Sequence, residues 1–271
     1  MTDWPAIRVA GVSKTFRLPH ERRTTLKEHF LHPLRRVTYD ENRALRDVSF
    51  EVAHDEFFGI IGPNGSGKST LLKTIAGIYP PGAGTVELGG RLSPFIELGV
   101  GFDPELTARD NVRINGTLLG LTRRELDERF DEIIAFAELE RFVDQKLKNF
   151  SSGMQVRLAF SIAIRVPFDI LLLDEVLAVG DASFQQKCFT AFTGLRASGK
   201  TIVLVSHDLT AIAQHSDRVL LMHGGRADMI GPADAVLARY AALDGSTGED
   251  SAPSYAPTGQ LSPALPADAH G

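Results

Sequence analysis

The nine residues Gly62-Pro63-Asn64-Gly65-Ser66-Gly67-Lys68-Ser69-Thr70 constrain this chain more than any other stretch. They fit the pattern G-x-x-x-x-G-K-[ST] and directly follow the apolar run Phe57-Phe58-Gly59-Ile60-Ile61. Glycines let the backbone bend so that successive N–H groups point inward, and a helix starting near Lys68 adds its positive end, so the loop is built to cradle phosphate. Lys68 is then placed to reach the β- and γ-phosphates of a nucleotide, and the Ser69 hydroxyl to ligate Mg²⁺. Leu71, Leu72, Ile75 and Ala76 give the following helix an apolar face, and Gly77 stands where a C-cap is expected. Strand, loop and helix in this order predict an α/β nucleoside-triphosphate-binding domain.

With 271 residues and 43% hydrophobic content, the chain can fill one large core. A net charge of -5 and a pI near 5.9 argue against a nucleic-acid partner, since no global positive field exists to release counterions. Cys188 is the single cysteine, which excludes an intramolecular disulfide and a cysteine-rich metal site; it reads as a small packed side chain on a helix. The N-terminus has no basic-then-apolar leader, and the longest apolar stretch, 159–179, is broken by Arg165, Pro167, Asp169, Asp174 and Glu175. The expected location is therefore cytoplasmic, with any membrane role exercised through a partner or a surface helix.

Alternation at 7–12 and 44–52 predicts two strands of a small β subdomain, separated by a polar, basic insertion, and 84–88 predicts a third. From 107 to 166 the period becomes helical, most clearly at 123–139 with Leu126, Phe130, Ile133, Ile134 and Ala137. Buried parallel strands are expected at 170–173 and 201–205, a further strand at 217–222 ending in His223-Gly224-Gly225, and a last helix at 233–243. Beyond Gly245 the composition shifts to Gly, Ser, Pro and Ala, which predicts a disordered tail over 245–271.

Two acids close the strand Ile170-Leu171-Leu172-Leu173-Asp174-Glu175. Asp174 is expected beside the Mg²⁺ and Glu175 beside an attacking water, because one acid holds the metal's water shell while the other polarises the nucleophile. Val203-Leu204-Val205-Ser206-His207-Asp208 repeats the geometry, and His207 is placed to sense the γ-phosphate. Between 150 and 154 lies Phe150-Ser151-Ser152-Gly153-Met154, ahead of a helix with the apolar stripe Met154, Leu158, Ile162 and Val166. Small hydroxyl residues at a helix N-terminus make a second anion site, although Ser-Ser-Gly is also an ordinary N-cap.

The order of these motifs resembles the ATP-binding-cassette (ABC) ATPases over roughly residues 7–243, with a domain at 1–244 and a helical subdomain near 100–166. The implied fold is α/β, a P-loop NTPase with a mixed sheet core, an N-terminal antiparallel β subdomain and a helical signature subdomain. The family's Leu-Ser-Gly-Gly-Gln signature is replaced here by a Phe-Ser-Ser-Gly-Met variant that looks like the subfamily exporting polysaccharides, O-antigens and teichoic acids. The resemblance implies that Ser151 and Gly153, with Ser152 and Met154, meet the γ-phosphate of ATP bound to a second subunit, and that Asp181 in Val179-Gly180-Asp181 is the D-loop aspartate. Glu97 stands where the family carries a Mg²⁺-sensing glutamine, and a carboxylate there can still hold metal-bound water. For the aromatic under adenine, Phe16 and Tyr39 compete; Tyr39 is favoured because the insertion displaces the usual loop.

The insertion at 21–36 carries five basic residues against two acidic ones, a net of +3 in an acidic protein. Thr25 and Glu28 form a capping box, and Leu26, Phe30 and Leu34 share a face, so a short amphipathic basic helix is expected. Such a patch gains about 1 kcal/mol per Lys or Arg near an anionic leaflet. In the exporter subfamily it looks like a helix at the cytoplasmic side where a lipid-linked substrate enters.

The expected protein is thus a Mg²⁺-dependent ATPase acting as a homodimer on the cytoplasmic face of the membrane. It would drive two copies of an integral membrane permease that move a lipid-linked glycan. An importer of a small solute would more often show Leu-Ser-Gly-Gly-Gln, and a soluble cassette ATPase would usually carry two cassettes or a coiled coil. A GTP switch would need an Asn-Lys-x-Asp base reader, which the sequence lacks.

Overall fold

A computed structural model describes residues 4–19, 39–96, 101–174 and 182–246. The insertion at 21–36, Glu97, Glu175, Asp181 and the tail beyond Ser246 lie outside the described residues. In chain order the elements are β1 (Ile7–Pro19), β2 (Tyr39–Val52), β3 (Phe57–Ile61), α1 (Lys68–Ile75), β4 (Ala83–Leu88) and β5 (Leu92–Phe95). Three helices follow, α2 (Ala108–Leu118), α3 (Arg123–Ala137) and α4 (Ser152–Ala163). The chain then alternates through β6 (Ile170–Asp174), α5 (Ala182–Ala197), β7 (Thr201–Val205) and α6 (Leu209–His215). It closes with β8 (Arg218–His223), β9 (Arg226–Gly231) and α7 (Ala233–Ser246).

The strands form a three-stranded sheet, β2-β1-β4, and a six-stranded sheet, β5-β6-β7-β3-β8-β9. The small sheet is antiparallel throughout. The larger one is parallel except for β9, which returns against β8. β3, β6 and β7 read as unbroken apolar runs because helices or the second sheet cover both their faces, leaving no alternation to keep. Two apolar clusters follow: Phe57, Leu171, Leu173 and Leu204 face α4 and α5, while Phe58, Ile60, Leu172 and Val203 face α1 and the small sheet. A third cluster is assembled from α2, α3 and α4 around Val112, Leu126, Ile133 and Leu158.

The first two strands run well past the alternating segments that predict them. Lys14 pairs with Leu45 and, after a register shift, Thr15 to Pro19 pair with Arg43 back to Tyr39, so mostly polar residues extend the ladder, with Arg17 3.6 Å from Glu41 across it. β5 and β9 are additional to the expected strands. β5 has only four residues and contains Pro94, a sheet-edge residue, and β9 carries Asp228 on an outward position of the other edge. Helix α3 starts at a capping box in which Thr122 accepts from Glu125 N and Glu125 accepts from Thr122 N. Cys188 is fully buried on α5, and burial pushes its thiol up to about 12, which fits a packing role.

Phe160 sits where the α4 helix meets the sheet core. It is fully buried, with ring centroids of Phe95, Phe136, Phe184 and Phe192 at 5.6, 6.0, 6.3 and 5.7 Å. Phe160→Ala removes these contacts and leaves a cavity, so a loss of about 3–5 kcal/mol is expected in urea unfolding followed by circular dichroism.

Candidate functional site

The site is built at one edge of the large sheet. β6, β7 and β3 are parallel neighbours, with Asp174 opposite Val205 and Ile60 opposite the same Val205. Asp174 at the end of β6, Ser206 and His207 after β7, and Gly62 after β3 therefore gather at the strands' carboxyl edge, where open parallel sheets bind ligands.

Gly62 to Thr70 turn tightly there. Gly62, Gly65 and Gly67 have φ of 149°, 77° and 103°. A Cβ on Gly62 would strike the carbonyl oxygen of Met222 in β8, and one on Gly67 would lie 2.5 Å from the carbonyl oxygen of Ala44 in β2. The loop is thus squeezed between two strands as well as bent. Gly225 N donates to Ser66 O at 3.1 Å, and Arg46 N donates to Gly225 O at 2.8 Å, so the β8–β9 turn clamps loop and β2 together. Lys68 is 5% exposed, and its Nζ donates to the carbonyls of Gly62 at 2.8 Å and Pro63 at 3.2 Å.

An open cleft of ≈ 500 Å³ lies over the loop, lined by 64–70, by Asn42, Arg43, Ala44 and Arg46 of β2, and by Gly224 and Gly225. Ser66 Oγ is buried without a hydrogen-bond partner among the described residues. Inward-bent backbone, a buried ammonium and an unsatisfied hydroxyl fit a polyphosphate. Ser69 is exposed in the first turn of α1 and Asp174 closes the adjoining strand edge, a hydroxyl and a carboxylate of the kind Mg²⁺ selects.

The remaining expected residues are placed as follows. His207 is exposed on the bend after β7; Ser206 Oγ accepts from Asp208 N at 3.0 Å, and Asp208 caps α6. Phe16 pairs with Asn42 across the β1–β2 ladder and so shares its face, with its ring edge-on to Tyr79 at 5.4 Å. Tyr39 pairs with Pro19 at the far end of that ladder. Ser151 is the N-cap of α4, its Oγ accepting from Met154 N at 3.2 Å, and Ser151 and Ser152 are exposed. Phe150 is buried against Phe142, while Met154 packs on the helical cluster. Among the described residues lining the cleft, none comes from 151–154, so one chain does not bring its two anion sites together.

Comparison with known proteins matches this arrangement. The pattern of the ABC transporter family fits residues 45–178. The chain is 42% identical over 248 residues to the ABC transporter protein AbcA of Aeromonas salmonicida, covering 92% of this chain and 80% of the relative. It belongs to the ABC transporter family. This ABC protein is also 41% identical to the O-antigen export system ATP-binding protein RfbB of Klebsiella pneumoniae, covering 87% of this chain and 97% of that one. To the teichoic acids export ATP-binding protein TagH of Levilactobacillus brevis it is 41% identical, covering 86% and 64%. Its fold matches an ATP-binding cassette solved as a dimer in a post-hydrolysis state bound to ADP and Pi, with a TM-score of 0.69, 24% identity and coverage of 84% and 98%.

Arg43, Arg46 and the Gly224-Gly225 turn were not legible as parts of this ABC site. The double glycine marks a turn, but nothing in its local sequence says that it closes on a loop some 160 residues earlier.

Gly62 and Gly65 separate two reasons for glycine. Gly62→Ala meets backbone that cannot yield, whereas an added Cβ at Gly65 meets open space and only the strain of positive φ. Gly62→Ala is expected to abolish ATP binding and to cost more than about 2 kcal/mol in thermal unfolding, against about 1 kcal/mol for Gly65→Ala.

Proposed function

We propose that the chain is the nucleotide-binding subunit of an exporter. It hydrolyses ATP as a head-to-tail homodimer and drives two copies of a membrane permease that carry a lipid-linked polysaccharide, O-antigen or teichoic acid outward. The site observation that carries the two-subunit part is Gly153. It sits in the first turn of α4 with helical backbone, and an added Cβ would meet no atom nearer than Ser151 Oγ at 3.8 Å. A glycine there costs the helix up to about 1 kcal/mol relative to alanine, and neither packing nor φ within the protomer requires it. Close approach of something outside the protomer does, and ATP held on a second subunit's phosphate loop is that group.

The exported cargo is argued from relatives, since two of them are named for O-antigen and teichoic acid export. A separate permease is supported by the relatives named as ATP-binding proteins of export systems, and among the described residues no helix is long and apolar enough to cross a membrane. The cytoplasmic membrane face is the working location, and the basic composition of the insertion at 21–36 suits it to an anionic leaflet and a lipid-linked glycan.

Within the site, Lys68 and the 62–70 backbone hold the β- and γ-phosphates, and Phe16, paired with Asn42 of the cleft wall, supports the base in place of the favoured Tyr39, which pairs with Pro19 at the far end of the ladder. Mg²⁺, held by Ser69, by Asp174 and through water by Glu97, would neutralise charge on the phosphates. Glu175 accepts the proton of the attacking water, His207 holds the γ-phosphate, and Ser151 and Gly153 of the second subunit close on it with Asp181 at the junction. Hydrolysis removes the group that both subunits share, and the dimer opens.

Two variants test this. Glu175→Gln is expected to bind ATP and dimerise in gel filtration while phosphate release slows about 10²–10⁴-fold; near-wild-type turnover would show that Glu175 is not the base. Gly153→Ala is expected to melt at or above the wild-type temperature and to bind ATP normally, yet to lose ATP-dependent dimerisation and turnover. An unchanged dimer would remove the two-subunit reading.

A further inference from the structure

We propose that Arg43 and Arg46 on the edge strand β2 are nucleotide-binding residues that hold the α-phosphate and ribose side of ATP. The inference rests on the nucleotide reading of the cleft and extends it to a strand that the phosphate-loop pattern does not touch.

Strand β2 is the outer strand of the small sheet, and its stretch from Asn42 to Arg46 forms one wall of the cleft over the phosphate loop. The wall is held in place, because the Ala44 carbonyl abuts Gly67 and Arg46 N is bonded to the β8–β9 turn that also binds Ser66. Lys68 and the start of α1 take the β- and γ-phosphate end. From there β2 leads toward Asn42 and, across the ladder, Phe16, which is the direction in which a nucleotide continues to its ribose and base. Arg43 lies along that path, and Arg46 lines the same cleft on the other side of the Ala44 contact, next to the Gly224-Gly225 turn.

Their charges are not used by the fold. Both are exposed, and among the described residues neither has a carboxylate within ion-pair distance. Arg46 Nε donates a long hydrogen bond of 3.4 Å to the Arg43 carbonyl. Both arginines also line a neighbouring cavity of ≈ 700 Å³ with Arg17 and Arg226. That cavity also holds two acids, Glu41, 3.6 Å from Arg17, and Asp47, which lies within β2 at φ 55°, so four guanidinium groups face two carboxylates there. Several guanidinium groups crowded at a cleft repel one another unless an anion joins them, and in an acidic protein this concentration of positive charge is local. Mg²⁺ and Lys68 leave a triphosphate incompletely neutralised, and arginine is the side chain best suited to phosphate oxygens.

Because the α-phosphate is common to ATP and ADP, these contacts should strengthen both equally. Lys68 and the signature residues should favour the triphosphate. The experiment measures ATP and ADP affinity by isothermal titration at low and high salt for the wild type, Arg43→Gln, Arg46→Gln and the double variant, with Lys68→Ala as a control. Each single variant is expected to raise Kd for ATP and for ADP by the same factor, on the order of tenfold, and the double variant should show a shallower salt dependence. Melting temperatures without nucleotide should not change, since neither side chain supports the fold. Unchanged affinities in the double variant, or a loss confined to ATP, would overturn the assignment. Failure of the wild type itself to bind nucleotide would instead overturn the reading of the cleft on which it rests.

Discussion

A cation held below the surface organises the structure. The Lys68 ammonium is nearly excluded from solvent, and its Nζ donates to the carbonyls of Gly62 and Pro63, which ties the side chain back onto its own loop. Burying a charge costs several kcal/mol unless its surroundings compensate it, so the loop has to hold these carbonyls in place. It does so by contacts from outside itself. Met222 of β8 blocks any side chain at Gly62, Ala44 of β2 does the same at Gly67, and the Gly225 amide holds Ser66. These three supports come from both sheets and from distant parts of the chain. An arriving polyphosphate would add negative charge beside this ammonium, on a loop that is in contact with both β2 and β8.

This explains which parts of the molecule could be read from the sequence. The phosphate loop, the acid-terminated strand and the Ser-His-Asp turn are local statements: each pairs a buried strand with the polar residues that must follow it, and the parallel register then aligns their ends. The supports are not local. Nothing around Ala44 or Gly225 announces that these residues touch the loop, because the contact is made by carbonyl and amide groups that every residue carries. Edge strands were hidden for a related reason. β5 contains a proline and β9 is half-polar, so neither shows the apolar run of the central strands. The extension of β1 and β2 toward the insertion likewise holds by backbone pairing among polar side chains, where alternation has no core to face.

Helix α4 shows how a correct pattern can still be incomplete. Its predicted stripe Met154, Leu158, Ile162 and Val166 reads as one apolar face; the helix stops at Ala163, but Leu158, Ile162 and, beyond its end, Val166 are all buried in the helical cluster. Val156, Phe160, Ala163 and Ile164 form a second apolar face, which packs on the sheet core. A helix that is apolar on both sides lies between two layers, and only its first turn, with Ser151 and Ser152, remains at the surface.

That position gives the helix a mechanical meaning. Its exposed N-terminus presents Ser151 and Gly153, and about 18 Å of rigid backbone carries that end into the core. There Phe160 touches Phe95 on β5 and Phe192 on α5, the elements that lead into Glu97 and out of Asp181. The N-terminus of α4 is thus joined, through one helix and a set of aromatic contacts, to β5 and α5 on the sheet that carries Asp174. Packed interiors transmit displacement because they compress little. In the proposed dimer, the helix whose N-terminus meets the partner's nucleotide is the one packed through Phe160 on β5 and α5 of its own protomer, so it stands between the two sites.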